Sequence, residues 1–303
     1  MRSISDIIQA AKAMGAGTIA VAAAQEHSAL EAAADAWKHG IAKPILVGDR
    51  TAIEAIAKEL AIDIGPFQVV EERDPVKAAA KAVELVRSGA ADMLMKGIVD
   101  TSVLLKAALN KETGINAGRL ASHVAVFETA HYHKLLIVTD AAINIAPDIP
   151  AKLDIIANAV QASKALGAER PKVALLAAIE KVNYEKMPCT ADAALITMMN
   201  RRGQVKGCLV DGPLALDNAI SKESARIKKI ESEVAGDADV LVTPDIEAGN
   251  VLYKSLLDLG GAKGAGIVMG AAKPIILTSR ADSAETKLAS IAFAALVAKA
   301  ARA

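Results

Sequence analysis

Cysteine and aromatic residues are scarce in this chain of 303 residues, which has two cysteines and an aromatic content of 2%. Cys189 and Cys208 provide neither a disulfide framework nor a CxxC pair of metal ligands. With so few aromatic side chains there is no stacking surface for nucleic-acid bases, and the 35 basic residues are balanced by 35 acidic ones. We therefore expect no nucleic-acid partner.

Long hydrophobic runs are also missing from the sequence. No apolar stretch reaches the ~18 residues that are typical of a membrane-spanning helix. Residues 1–17 contain an apolar helical stripe, but polar residues interrupt it every few positions, unlike the continuous apolar core of a secretion signal. We therefore expect a cytoplasmic protein without a membrane partner.

The familiar nucleotide-binding and hydrolase motifs are absent. The segment GAGIVMG, residues 264–270, has three residues between its last two glycines, whereas the dinucleotide fingerprint has two, and it precedes a predicted strand. Neither GxxxxGK followed by Ser or Thr, nor Gly-x-Ser-x-Gly, occurs. The histidines of HYH, residues 131–133, have no third metal ligand nearby, so we interpret them as surface-loop residues and predict no metal site.

What the sequence does contain is an alternation of short apolar runs with Ala-rich segments of helical spacing. This alternation predicts an α/β fold in which helices cover both faces of parallel strands. In one predicted helix, Asp74 is a plausible N-cap, Pro75 suits the first helical position and Gly89 ends the helix. The predicted strands are residues 18–23, 44–47, 67–70, 93–95, 124–127, 135–138, 173–176, 208–210, 240–242, 267–269 and 274–277.

Polar, glycine-containing stretches predict two soft domain boundaries, at residues 109–119 and 260–266. Boundaries at these places leave a middle block of ~150 residues, near the commonest domain size. Spacing alone leaves open whether the last strand and helix return to the first domain.

One candidate site follows the predicted strand 93–95, because ligands of open parallel sheets bind beyond the carboxyl ends of the strands. Lys96, Thr101, Ser102 and Lys106 lie in a single strand-to-helix passage. Thr101 or Ser102 would cap a helix whose N–H groups face an anion, with Lys106 one turn further on. A capped surface helix with solvated lysines fits the same spacing equally well.

Acidic and amide side chains follow several other predicted strands. Carboxylates at strand ends suit a divalent metal. For any single residue, however, turn formation or helix capping is the simpler interpretation. These candidates are Asp140, Asn144, Asp211, Asp217, Asp245, Glu247 and Asn250.

The segment KPIILTSRADSAETK, residues 273–287, places Ser279, Arg280 and Asp282 between the last predicted strand and an Ala-rich helix. A hydroxyl and a guanidinium at a helix start suit an oxyanion or a phosphate, and a neighbouring carboxylate suits a general base. Alternatively, Asp282 or Ser283 only caps the helix and Arg280 lies on the surface.

Six ordered blocks together resemble the phosphate acetyl/butyryltransferase family, with the butyryl enzymes as the nearer branch. The resemblance runs from about residue 18 to residue 298. The blocks are ADMLMKGIVDTSVLLKAALN, ASHVAVFE, VTDAAINIAPD, KGCLVDGPLALDNAIS, PDIEAGNVLYKSLL and PIILTSRADSAETKL.

This resemblance implies a reversible transfer in which acyl-CoA and phosphate give acyl phosphate and free CoA, through a ternary complex and without a covalent enzyme intermediate. It implies no bound cofactor, since the coenzyme A thioester and inorganic phosphate are substrates. The implied fold is isocitrate/isopropylmalate dehydrogenase-like, with two α/β domains across a cleft, in a homodimer or larger homo-oligomer. The end of the chain would return to the first domain, giving domains of residues 1–116 plus 267–303 and 117–266.

The resemblance also assigns roles to residues. Ser279 would donate to the transition state and Arg280 would hold phosphate or its developing charge, because a guanidinium suits phosphate well. The candidates at other strand ends would bind substrate. They are Lys96, Thr101, Ser102, Lys106, Asn144, Asp211, Glu247 and Asn250.

Two positions depart from the pattern of the acetyl enzymes. Lys106 stands where those enzymes have an arginine, so it would hold phosphate as a point charge. Thr286 stands where their catalytic aspartate is expected. Asp282 and Glu285 are the nearest carboxylates, and we predict Asp282 as the base because we expect it in the first turn of the last helix.

Two functions of other classes remain as alternatives. One is a metal-dependent NAD(P) oxidoreductase acting on a 2-hydroxy acid, although no dinucleotide fingerprint or Arg-rich substrate signature is present. The other is a non-catalytic module that keeps the fold, against which the intact SRAD stretch argues. Phosphate acetyltransferase remains the substrate variant, because each methylene contributes only ~1–3 kcal/mol to discrimination in a pocket.

Overall fold

The computed structural model of the chain describes residues 1–277 and 282–301. The chain divides into two compact units. The N-terminal unit comprises Ile4–Arg119 and Ala265–Ala303, and the middle unit comprises Met1–Ser3 and Leu120–Gly264. Each unit contains a sheet with helices packed on it, which confirms the α/β class.

The N-terminal unit is built on a mixed sheet. Its strands are β1 Gly17–Ala22, β2 Ala42–Gly48, β3 Gln68–Glu71, β4 Met93–Lys96, β10 Lys263–Met269, which begins at the unit boundary, and β11 Ile275–Ile276. They lie in the order β3-β2-β1-β4-β11-β10. β3, β2, β1, β4 and β11 are parallel, and β10 is antiparallel to β11.

Helices cover this sheet and supply much of its core. They are α1 Ile4–Ala13, α2 His27–Lys38, α3 Arg50–Glu59, α4 Pro75–Arg87, α5 Thr101–Ala108 and α11 Ala284–Ala300. α11 packs against α1, α2, β4 and β11, and its residues 287–298 are all buried. A helix that is apolar on every side is stable only when surrounded in this way. Asp74 caps α4 by accepting hydrogen bonds from the N–H groups of Val76 and Lys77, as predicted.

The middle unit contains five further strands. Its strands are β5 Ser122–Glu128, β6 Leu136–Thr139, β7 Lys172–Leu176, β8 Leu209–Leu214 and β9 Val240–Val242. They lie in the order β5-β6-β9-β7-β8. β6, β9, β7 and β8 are parallel, whereas β5 is antiparallel to β6. The helices are α6 Ile149–Ala165, α7 Pro188–Arg201, α8 Leu216–Ile220, α9 Lys222–Ile227 and α10 Ile246–Lys254, which continues into a π-helical turn, Ser255–Leu259.

The expectation of parallel strands throughout is therefore wrong at two places, β5 beside β6 and β10 beside β11. A parallel neighbour requires a crossover of a dozen or more residues. Only residues 129–135 join β5 to β6, and only residues 270–274 join β10 to β11. Such short connections can return the chain only in the antiparallel direction.

Other expectations concern single residues and membrane association. Both cysteines are free, with Cys208 buried and Cys189 partly exposed. His131 and His133 lie exposed in the loop between β5 and β6. Within residues 1–277 and 282–301, no helix combines the length and the apolar character needed to cross a membrane.

A network of charges ties together the amino ends of β6, β7 and β9. Asp237 accepts hydrogen bonds from Lys172 Nζ at 2.6 Å and from His133 Nε2 at 2.8 Å, and it pairs with Lys134 at 3.1 Å. Lys134 Nζ also lies 2.7 Å from an oxygen of Asp239. Burial alone would raise the pKa of Asp237, but the hydrogen bonds from Lys172 and Lys134 hold that pKa well below its usual range.

This network predicts that Asp237→Asn destabilises the protein by about 2 kcal/mol at pH 7, because it leaves partly buried lysines without their carboxylate. The folded-state pKa of Asp237 is lowered, so its contribution is complete above the unfolded-state value of about 3.9 and is lost as the pH falls further. Urea unfolding measured between pH 7 and pH 3 should show the difference between wild type and variant narrowing below about pH 4.

Asp258→Asn is the matched control, because Asp258 is an exposed carboxylate in the π-helical turn of the same unit. It should leave the unfolding free energy unchanged at every pH. Equal effects of the two substitutions at pH 7 would contradict a stabilising role for the network.

Candidate active site

The carboxyl ends of β1 and β4 are joined by backbone contacts in the N-terminal unit. The N–H of Gly97 donates to the carbonyl of Ala22 at 2.8 Å, and the N–H of Ile98 donates to that of Ala23 at 2.9 Å. A Cβ on Gly97 would lie 2.1 Å from the Ala23 oxygen, so only glycine fits. The chain that leaves β4 is therefore held in a defined path over the end of the sheet.

Lys96, the last residue of β4, contributes to the same path. Its side chain is half-buried. Its ammonium donates to the carbonyl of Gly97 at 3.2 Å and to that of Val99 at 3.4 Å. The charge thus lies beside the loop that leads into α5, as its candidate role requires.

The start of α5 differs from the prediction that Thr101 or Ser102 caps it. Asp100 occupies the N-cap position, and in the described part of the chain its side chain accepts no capping hydrogen bond. Thr101 and Ser102 are exposed residues of the first turn. Lys106 lies in the last turn of this eight-residue helix, four positions and thus about one turn after Ser102, as predicted. The backbone N–H groups of the first turn of α5 can still bind an anion.

The start of α11 is capped by Ser283, whose hydroxyl accepts the N–H of Thr286 at 3.1 Å. The expectation that Asp282 lies in the first turn of this helix is wrong, because Asp282 precedes the cap; Glu285 is the acidic residue of that turn. The Thr286 hydroxyl lies 3.0 Å from that of Ser283. Ser279 and Arg280 lie outside the described residues.

At the carboxyl end of β6 in the middle unit, Asp140 organises the following loop. Asp140 is 3% exposed. Its carboxylate accepts the backbone N–H groups of Ala142, Ile143 and Asn144 at 2.9 to 3.1 Å and the side-chain amide of Asn144 at 2.6 Å. The carboxylate therefore holds the loop together, as expected of a residue that forms a turn.

The two asparagines predicted to bind substrate also contact this loop. The amide nitrogen of Asn144 donates to the carbonyl of Ala121 at 2.8 Å, and that of Asn250 donates to the carbonyl of Ala141 at 3.1 Å. Both amide nitrogens therefore hold the backbone that surrounds the end of β6. Their positions support a role in shaping a site more than direct contact with a ligand.

Thr243, which sequence reasoning missed, and Gly249 hold α10 against the same loop. The Thr243 hydroxyl donates to the carbonyl of Asp140 at 3.1 Å. A Cβ on Gly249 would lie 2.2 Å from that carbonyl oxygen and 2.8 Å from the Thr243 hydroxyl. An isolated glycine within a helical pattern is the signal that points to such a close approach.

Within the described structure, the remaining carboxylate candidates, Asp211 and Glu247, make no hydrogen bond to this loop that supports a shared site. Asp211 was expected just after a strand, but β8 continues to Leu214, so Asp211 lies inside it and accepts the N–H of Gly212 at 3.0 Å. Because β9 and β7 separate β8 from β6, Asp211 is about 14 Å from the β6 end. Glu247 is exposed in the first turn of α10.

The other candidate metal ligands have structural contacts of their own. Asp245 caps α10 by accepting the N–H of Ala248 at 2.8 Å. Asp217 accepts a hydrogen bond from the Ser224 hydroxyl, which lowers its pKa. In the residues described, no three His, Cys, Asp or Glu side chains are grouped in a way that could hold a metal ion.

Comparison with known proteins identifies the family. Residues 3–80 and 73–295 match the family described as phosphate acetyl/butaryl transferase. The sequence is 50% identical over 298 residues to a phosphate butyryltransferase of Clostridium acetobutylicum, which covers 98% of this chain and 99% of that protein. The chain belongs to the phosphate acetyl/butyryl transferase family.

Two further relatives support the same assignment. A phosphate acetyltransferase of Thermotoga maritima is 44% identical over 280 residues, covering 92% of this chain and 95% of that protein. The crystal structure of a branched-chain phosphotransacylase from Enterococcus faecalis superposes with a TM-score of 0.81 at 35% identity, covering 93% of this chain and 98% of that one. The family is therefore shared in both sequence and structure over nearly the whole chain.

The contact between α10 and the β6 loop predicts that Gly249→Ala lowers the free energy of unfolding by about 2 kcal/mol, because the new methyl group overlaps the Asp140 carbonyl. Urea unfolding measures the change. Ala248→Ser, at the neighbouring exposed position of the same helix, should have an effect within about 0.5 kcal/mol. A stable Gly249→Ala variant would show that α10 can move away from the loop without cost.

Proposed function

We propose that this protein catalyses the reversible reaction of a short-chain acyl-CoA with inorganic phosphate to give an acyl phosphate and free coenzyme A. The observation that carries the proposal is 50% identity, over nearly the full length of both chains, to a phosphate butyryltransferase. The enzyme is thus a transferase, with butyryl-CoA as the favoured substrate and acetyl-CoA as the variant. Its substrates are a coenzyme A thioester and phosphate, and no other cofactor is required.

The chemistry sets three requirements for the site. In the direction of acyl-CoA synthesis, the thiol of coenzyme A attacks the acyl phosphate carbonyl, its proton passes to a base, and the carbonyl–phosphate bond breaks. The site must supply that base, donors for the carbonyl oxyanion and cations for the departing phosphate. We assign the oxyanion contact to Ser279, the phosphate contact to Arg280 and the base to Asp282.

Residues that the structure describes would complete the proposed site. The free N–H groups at the start of α5 and the ammonium of Lys96 support a substrate-binding role at the carboxyl edge of the N-terminal sheet. Asn144 and Asn250 would shape the site through the β6 loop. For Lys106, Asp211 and Glu247, a substrate-binding role is supported only by the family resemblance.

The architecture of the family supplies the rest of the proposal. We assign an isocitrate/isopropylmalate dehydrogenase-like arrangement, with domains of residues 1–116 plus 267–303 and 117–266 and catalysis in the cleft between them. We also assign a homodimer or larger homo-oligomer. The resemblance of the whole chain to this family supports both statements.

The reaction is tested with butyryl-CoA by following free thiol with and without phosphate. We expect thiol release only when phosphate is present, with one acyl phosphate formed for each thiol. A parallel assay with acetyl-CoA compares the two substrates by their values of kcat/KM. Release without phosphate, or reduction of NAD(P) by a 2-hydroxy acid, would overturn the proposed function.

The base is tested with Asp282→Asn, assayed for acyl transfer from butyryl phosphate to coenzyme A. We expect kcat to fall by about 10²- to 10⁴-fold, the usual contribution of a general base. Glu285→Gln is the matched control, because Glu285 is an exposed carboxylate three positions further along the chain. A kcat near the wild-type value for Asp282→Asn, with a large loss for Glu285→Gln, would transfer the role to Glu285.

A further inference from the structure

Ala23, the residue that follows β1, has an unusual backbone conformation. Its φ angle is +52°, in the left-handed region that residues with a Cβ rarely adopt. Among residues 1–277 and 282–301, glycine has a positive φ at ten positions, and other residues have one at three: Ala23, Ala61 and Lys229. Such a conformation costs free energy and persists only where the surrounding structure holds it in place.

Ala61 and Lys229 have the ordinary explanation for a positive φ. Each is the residue directly after the C-cap of a helix, α3 for Ala61 and α9 for Lys229. A left-handed residue ends many helices at this place, because it lets the last carbonyls accept hydrogen bonds. Ala23 follows a strand, so helix termination does not account for its conformation.

The backbone around Ala23 connects the carboxyl ends of three neighbouring strands. Ala23 is fully buried, and its carbonyl accepts the N–H of Ile98, in the loop that leaves β4, at 2.9 Å. The next N–H, that of Ala24, donates to the carbonyl of Val47 in β2 at 3.0 Å. Gly97 approaches the Ala23 oxygen so closely that a Cβ there would lie 2.1 Å from it. The left-handed turn at Ala23 therefore fixes the path of the chain after β4.

The same loop holds the charge of Lys96. The Lys96 ammonium donates to the carbonyls of Gly97 and Val99, which lie on either side of Ile98. A displacement of Ile98 would therefore move both carbonyls, and the ammonium with them. Ligands of open parallel sheets bind beyond the carboxyl ends of the strands, so the position of this cation matters at that edge.

We infer that Ala23 is a positioning residue for the proposed acyl transfer, because its left-handed turn holds the loop after β4 so that Lys96 can contact a phosphate group of a substrate. The inference rests on the proposed function, which supplies that phosphate. Glycine would suit this task less well than alanine. It populates both signs of φ and would leave the carbonyl of residue 23 free to turn away from Ile98. Inorganic phosphate and the phosphate groups of coenzyme A share this chemistry, and kinetics separates the two sources.

Ala23→Gly tests the inference, because it keeps the positive φ accessible and removes the restraint on the backbone. We expect KM for inorganic phosphate to rise about tenfold, or KM for butyryl-CoA to do so if Lys96 contacts coenzyme A, with the other KM staying within about twofold. A purely structural role would lower the fraction of folded enzyme, and hence the apparent kcat, with both KM values unchanged. That result, or an equal rise in both KM values, would overturn the inference.

Ala61→Gly is the matched control, because Ala61 has the same φ of +52° at the end of α3. It should leave both KM values as they are in the wild type. Gly97→Ala displaces the same contact from its other side and should raise the same KM as Ala23→Gly, which keeps the inference testable if one of the two variants folds poorly.

Thermal unfolding of the purified protein with inorganic phosphate, and separately with coenzyme A, gives a readout that is independent of turnover. We expect the ligand whose KM depends on Ala23 to raise the Tm of the wild type and of Ala61→Gly more than that of Ala23→Gly. Equal ligand-induced shifts in Tm for the three proteins would contradict the inference. If the wild type releases no thiol from butyryl-CoA in phosphate, the proposed function fails, while these shifts still test Ala23 by themselves.

Discussion

The pairing of β11 with β4 is the constraint on which the N-terminal unit depends. β11 has only two residues, Ile275 and Ile276, yet it fills the place between β4 and β10. By doing so it brings the end of the chain into this unit and delivers α11 to its core, where the helix is buried against α1 and α2. The same pairing places the start of α11 beside the end of β4. It therefore fixes both the apolar core of the unit and the arrangement of polar groups at the carboxyl edge of its sheet.

Three buried or partly buried charges of the middle unit are satisfied by the protein itself. Asp140 is surrounded by N–H donors of its own loop, Asp237 by lysines, and Lys152 by Asp192. Each of these groups has a structural task, and each would be costly to leave unpaired.

Short apolar runs were sufficient to locate the strands, since residues 240–242 and 93–95 were predicted and Val240–Val242 and Met93–Lys96 are observed. The capping of α4 by Asp74 is a local interaction, so it was predictable as well. Strand direction at β5 and β10 was missed although the short connections contained the information. The use of the Asp140 carboxylate to hold its own loop is also local, and turn formation was the simpler of its two interpretations. The close approach of Gly249 to the Asp140 carbonyl joins distant segments, so spacing along the chain does not encode which atoms it contacts.

Thr286, which stands where the resemblance led us to expect the catalytic aspartate of the acetyl enzymes, bears on how the thiol is activated. Its N–H and hydroxyl contact the cap Ser283, so this position serves the helix start instead of proton transfer. An ordinary thiol has a pKa of about 8.5, and nearby cations favour its thiolate form. Arg280, to which the proposed function assigns the phosphate contact, would lower the demand on the base as well. On the proposed assignment, a carboxylate that precedes the helix, such as Asp282, would then be sufficient, because a nearby cation lowers the pKa of the thiol whose proton it accepts.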